Sequence, residues 1–282
     1  MLRREAGVWH DGRTRLGVVI LGIIVLLALL APVISPELPT VQHDIVATRF
    51  LAPFATDGDG ALHLLGTDRL GRDVWGRLLH GARISLAVGI LTMLMSLLIG
   101  VLVGSVAGFA GRGLAAILLG LTDFALGVPR VVLLLLLAAL WQPSATQVVL
   151  VLGLTGWMPI ARLVYSETRS QLRRPYVEGA FALGAGRRRV LVRHILPHAA
   201  PPVLAAVTLG IGNAITLEAG LSFLGLGVQP PTASWGSLIA SGRDTVVNAP
   251  WVGLAPGIAL VLVVVGCTLV ADAVGEQRTG DT

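Results

Sequence analysis

Nineteen consecutive residues from Leu16 to Ile34 carry no charge. At about 1.5 Å per residue, a helix of that length matches a hydrocarbon core of about 30 Å. Five more apolar segments recur along the chain, from Ile84 to Phe109, Leu114 to Leu140, Thr146 to Tyr165, Ala199 to Leu221 and Trp251 to Val274. Lipid offers no partner to backbone N–H and C=O groups, so each run must satisfy its own as a helix. The pattern predicts an all-α polytopic membrane protein with six transmembrane helices. The fourth segment is the least regular, because Pro159 and Arg162 interrupt its end. Composition agrees: mean hydropathy is +0.81 and charged residues make up 13%, about half the share of a soluble domain.

Arginine placement orients the spans. With an inside amino terminus, fourteen arginines fall in cytoplasmic segments, six in outside segments and Arg130 within a span. That bias places both termini in the cytoplasm. Trp141, Trp235 and Trp251 then fall at the outer boundary and Trp9 near the inner one, as an aromatic belt requires. The basic balance reads as topology and contact with anionic membrane lipid, not as nucleic-acid binding. The first apolar run is too long for a signal-peptide core, so it reads as a retained span. Cys267 is the single cysteine, which leaves no internal disulfide and suggests core packing.

The chain contains no lysine. A GxxxxGK[ST] loop needs its lysine to reach the β and γ phosphates, so no Walker A site exists here and any ATPase is another polypeptide. No HExxH is present, and His194 and His198 are separated by Pro197 where helical alignment of two ligands is interrupted. His43 and His63 lie with Asp44, Asp57 and Asp59 in an outside segment that reads as a solvated loop. No metal site and no catalytic constellation emerge.

Between the fourth and fifth spans, Tyr176 to Pro197 reads YVEGAFALGAGRRRVLVRHILP. Pro175 suits the first turn of a short helix, Glu178 sits near its positive end, and Gly184 and Gly186 end it. Val190, Leu191, His194 and Ile195 share one face of a second short helix, which Pro197 is expected to close. Glu178, Gly179, Ala180, Gly184, Ile195, Leu196 and Pro197 resemble the EAA loop of permease subunits in ATP-binding-cassette importers. Gly179 stands where the first alanine is usual, and His194 where isoleucine is common. Gly66-Thr67-Asp68, Leu70-Gly71-Arg72-Asp73, Gly81-Ala82-Arg83-Ile84-Ser85 and the block Leu221 to Gly236 resemble the C-type permease of dipeptide, oligopeptide and nickel importers.

The resemblance implies a type I importer permease fold: an arm, first span and exoplasmic loop over residues 1–81, a five-helix transmembrane domain over 82–275 with its coupling loop at 166–198, and a cytoplasmic tail over 276–282. It implies a bacterial cell membrane location, a sister permease subunit, two ATPase subunits or domains that carry ATP and magnesium, and an extracytoplasmic substrate-binding protein. The cargo it implies is a peptide, with a nickel chelate or another small solute as the alternative. A secondary transporter or channel is the competing class; it would use the intramembrane charges Asp123, Arg130 and Glu218 for coupling or selectivity.

Those three residues are the candidates for a translocation path, where they would hold a cargo's charged groups or form a gate. Asp123 and Arg130 are seven residues apart on nearly one helical face, about 10 Å along the axis. A structural pair within the bundle is the competing reading. Two further expectations concern packing. Gly100, Gly104 and Gly108 form a ridge for close helix approach. Leu70, Val74, Trp75, Leu78 and Leu79 form the apolar face of a helix lying on the membrane or against the bundle, leaving Arg69, Asp73 and Arg77 wetted.

Overall fold

The computed structural model describes residues 12–42, 44–140 and 142–276, without the side chains of residues 130, 131, 138, 139 and 276. Trp9, His43 and Trp141, and with them three of the expectations above, lie outside the described residues. Among the described residues, five helices are long and apolar enough to cross a membrane.

The first span, α1 (Gly12–Ile34), leads through a short helix α2 (Ile45–Thr48) and a small hairpin of β1 (Ala55–Thr56) and β2 (Leu62–His63). The hairpin is antiparallel, with Ala55 opposite His63 and Thr56 opposite Leu62. Helix α3 (Val74–Phe109) follows and runs 36 residues without interruption, about 54 Å. From Val74 onward the expected amphipathic segment is therefore the first turns of the span itself, while Leu70 lies in the turn before it. Arg77 is buried, 3% exposed, where a wetted position was expected. The reason is Asp68, whose carboxylate pairs with both Arg77 and Arg72.

The third expected span is two helices, α4 (Arg112–Gly127) and α5 (Arg130–Ala139), separated at Val128-Pro129. Pro129 has no N–H to continue the ladder, and its ring disfavours helical geometry at Val128, which is extended at φ −74°, ψ 130°. At 16 and 10 residues neither piece alone has the length of a span, so five long helices stand among the described residues where six spans were expected. The fourth span comprises α6 (Ala145–Gly156) and α7 (Met158–Gln171), which follow each other with only Trp157 between and together make 27 residues.

After α7 come the short helices α8 (Pro175–Ala182) and α9 (Arg187–Val190), then a π-helical turn, Leu191–Ile195, that feeds directly into α10 (Leu196–Phe223). Pro197 was expected to close the second short helix, and it does not. The wide turn, in which the Leu196 N–H reaches the Leu191 carbonyl, lets the helix pass the proline, and Arg187–Phe223 is one helical run of 37 residues. Helix α11 (Trp235–Arg243) and the last span α12 (Trp251–Glu276) complete the chain.

Helix α3 is the axis of the bundle, packed against α1, α6, α7 and α10, while α12 covers α1, α10 and α11. One core cluster joins five of these helices through Ala28, Leu86, Ile215, Trp235, Leu238 and Cys267. Trp235, expected at the outer boundary, is inside that cluster and donates its indole N–H to the Leu78 carbonyl at 3.1 Å. Trp251 packs at the start of α12 and donates its indole N–H to the Thr67 carbonyl at 3.2 Å. The glycine ridge faces α7. A Cβ on Gly100 would come within 2.8 Å of the Ile160 side chain, and one on Gly104 within 2.8 Å of Val164 Cβ. Gly108 meets Thr168 in the same way.

Candidate functional site

Local chemistry builds the loop between α7 and α10 in three steps. Pro175, at the start of α8, has no N–H to leave orphaned there. Gly184 ends the helix at φ +84°, a conformation that a side chain disfavours. Around it the Gly184 N–H donates to the Phe181 carbonyl at 2.9 Å and the Ala185 N–H to the Ala180 carbonyl at 3.0 Å. This paired closure satisfies the last carbonyls of α8 and turns the chain sharply into α9.

A small core holds the two short helices together. Val177, Val190 and Ile195 are fully buried against one another, with Ala180 and Ala185 packed at their edge. Phe109 at the end of α3 and Leu172 just after α7 complete the cluster. The loop is thus seated on the ends of two spans and continuous with a third. Glu178 and Gly179 lie on the exposed side, as do Pro197 and the four arginines Arg187, Arg188, Arg189 and Arg193. Leu196 is half-buried. A cleft of about 660 Å³ at the loop tip is lined by Gly184, Gly186, Arg188, Arg189, Val192 and Arg193.

His194, in the place of the common isoleucine, packs with Tyr176 at a centroid distance of 6.2 Å, and His198 approaches the same ring at 5.6 Å. Tyr176 donates its hydroxyl to Gln171 Oε1 at 2.6 Å. Partial burial raises that hydroxyl above the usual phenolic pKa, with Arg174 pulling the other way.

The three intramembrane candidates are not brought together. Asp123, about half exposed, pairs at 3.3 Å with Arg162 of α7, a residue not counted among them. Arg130 opens α5 just past the helix break, and its side chain lies outside the described residues. Glu218 is fully buried on α10. Its Oε1 accepts from Ser222 at 2.7 Å and from Ser234 at 2.8 Å, and its Oε2 from Ser85 at 3.2 Å. Each serine oxygen in turn accepts a backbone N–H, from Val228, Ser237 and Trp235 respectively. One carboxylate therefore ties α3, α10 and the start of α11. Sequence reasoning singled out the glutamate and missed its donors, although Ser85, Ser222 and Ser234 all sit inside the blocks quoted above.

Just before α3 the Gly66 to Asp73 segment forms a second polar knot. Asp68 accepts from the Leu70 and Arg72 N–H groups as well as holding both guanidinium groups. Asp73 caps α3 through the Gly76 N–H at 2.6 Å and meets His63 Nδ1 at 3.0 Å. Asp57 lies 3.4 Å from the other ring nitrogen. The Ala61 N–H holds the Asp57 carboxyl below its ordinary value; burial opposes this, and the Asp59 N–H and His63 add to it.

Residues 100–277 match the model of a family described as the binding-protein-dependent transport system inner membrane component. The di/tripeptide transport system permease protein DppC of Pseudomonas aeruginosa (strain UCBPP-PA14) is 36% identical over 261 residues, 92% of this chain and 85% of that protein. A putative peptide transport system permease protein of Brucella suis is 37% identical over 263 residues, 93% of this chain and 86% of its own length. A putative peptide permease protein of Brucella ovis is 38% identical over 216 residues. Among solved structures, the inward-facing MetNI methionine transporter superposes with a TM-score of 0.56 at 19% identity, over 71% of this chain and 95% of that one, which speaks to fold alone. A seated loop on a bundle of membrane-length helices, a family model covering most of the bundle and relatives matched over nearly the whole chain agree: the chain belongs to the inner membrane component family of binding-protein-dependent transport systems.

Proposed function

We propose that this chain is the permease subunit of an ATP-driven peptide importer of the dipeptide or oligopeptide type. The observation that carries this is the loop at Glu178 to Pro197, seated by its own core on the ends of α3 and α7 and continuous with α10. Its exposed face, with Glu178, Arg189 and Arg193, suits a groove on a separate ATPase. Peptide cargo is supported by the relatives' names. Closure of two ATPase subunits on ATP would move this loop and, through it, three helices at once. A sister permease completes the path, a binding protein delivers cargo at the face bearing the Asp68 knot, and both termini lie in the cytoplasm.

Asp123 and Arg130 flank the break at Val128-Pro129, where the last carbonyls of α4 lack helical partners. Backbone broken at membrane depth is tolerated where it lines a cavity, and we place that break on the cargo path. Glu218, enclosed by three serines, has instead a positioning role.

Reconstitution tests the whole reading. The tagged chain, purified with its sister permease and ATPases and placed in proteoliposomes with the binding protein outside, is expected to take up labelled dipeptide only with ATP inside. Glu178→Ala is expected to lower uptake per ATP hydrolysed by about tenfold, the loss of about 1.4 kcal/mol of coupling. Uptake without ATP by the chain alone would overturn the proposal.

A further inference from the structure

A groove of about 800 Å³ runs beside the loop, and almost everything lining it is aliphatic or aromatic. Its walls are the second half of α3, from Leu97 to Phe109, and the start of α10, from Leu196 to Leu204. The polar exceptions are Ser105, Arg187 and Arg188. Two guanidinium groups stand at one end, and the apolar wall extends from Phe109 back to Leu97, about 18 Å at the helical rise. That length is close to one leaflet of hydrocarbon, roughly 15 Å.

Ser105 supplies a second observation. It is 4% exposed, and its hydroxyl has no hydrogen-bond partner. A buried hydroxyl left unsatisfied is unfavourable by about 1–3 kcal/mol, and a ligand acceptor would relieve it. It lies one helical turn from Phe109, about 6 Å deeper than the arginine end along α3. The order along the groove is therefore two cations, one hydroxyl donor and a long apolar wall.

We propose that the groove is a binding site for one anionic phospholipid of the cytoplasmic leaflet. The phosphate sits on Arg187 and Arg188, a glycerol ester carbonyl accepts from Ser105, and an acyl chain lies along Val101 and Leu97. Charge complementarity selects this occupant over a helix of the sister permease, which would bring apolar side chains to a pair of arginines. Because Arg187 and Arg188 begin the helix that carries the loop into α10, a bound lipid braces the loop against α3. The inference rests on the cytoplasmic placement of the loop proposed above.

The test uses the assembled complex. It is stripped of lipid in detergent, offered phosphatidylglycerol and phosphatidylcholine in equal amounts, and weighed by native mass spectrometry. The expected result is retention of phosphatidylglycerol, one per copy of this chain, with at least a tenfold preference. Arg187→Ala/Arg188→Ala is expected to abolish the preference, and Ser105→Phe, which fills the groove without touching the charges, to abolish retention of either lipid. Equal retention of the two lipids by the parent complex overturns the site, a result that needs no variant to fold. A disulfide formed between Leu102→Cys and a helix of the sister permease in the lipid-stripped complex overturns it as well, by putting protein in the groove. Thiol labelling of Arg188→Cys separates the two readings: labelling from the outer face alone overturns the orientation, whereas labelling from the cytoplasm with no lipid preference overturns only the lipid site.

Discussion

Single residues at the two polar knots carry more of the fold than their hydropathy suggests. Glu218 accepts three hydroxyls in a place no water reaches, so removing it strands three donors at once. Glu218→Ala is expected to destabilise the bundle by about 3 kcal/mol or more, and Glu218→Gln by less, because the amide keeps one acceptor oxygen. Thermal melting of the detergent-solubilised complex reads this order. A Glu218→Ala protein that melts with the parent would remove the positioning role.

Asp57 offers a check through pH. Its folded pKa is depressed, so the ionised form stabilises the hairpin. The contribution is complete above the unfolded value of 3.8 and is lost as pH falls through the lower folded value. Hydrogen exchange over residues 55–63 should therefore be faster in Asp57→Asn than in the parent at pH 7, and the difference should vanish in strong acid. A difference independent of pH would contradict the assignment.

Elements were legible where nothing polar intervened. The first and last spans, expected at Leu16 to Ile34 and Trp251 to Val274, are found at Gly12–Ile34 and Trp251–Glu276. Where a charge or a proline entered, local reasoning lost to tertiary partners. Asp73 and Arg77 read as surface residues, yet one caps α3 and the other finds Asp68 nine positions back. Pro129 divides a span where Val128 before it is extended, whereas Pro197 is passed where a π-helical turn precedes it. In the loop between α7 and α10 the glycine turn and the start of α8 were readable from Pro175 and Gly184. The seat of the loop was not, since Phe109 and Leu172 come from other parts of the chain. That seat is the test of the element: Val177→Asp places an unpaired charge in a closed apolar cluster, which is unfavourable by several kcal/mol. Uptake is expected to fall on the order of tenfold or more, with the sister permease still recovered in pull-down. Normal uptake would show that the cluster does not hold the loop.

Across the whole molecule, close approach of α3 and α7 decides whether the bundle forms. Gly104→Leu drives a side chain into Val164 and is expected to disrupt packing by about 1–3 kcal/mol or more. Gly113→Leu, with nothing within 4 Å of its added Cβ, should be harmless. Yield of monodisperse protein compares the two, and equal yields would argue against the ridge as a packing surface. The helical run from Arg187 to Phe223 has a further consequence. At 37 residues it is about 55 Å long, and its far end is the one that Glu218 fastens to Ser85 and Ser234. The seated loop and the serine-bound carboxylate are thus the two ends of a single unbroken helical run, so a displacement of one reaches the other with no change of chain between them.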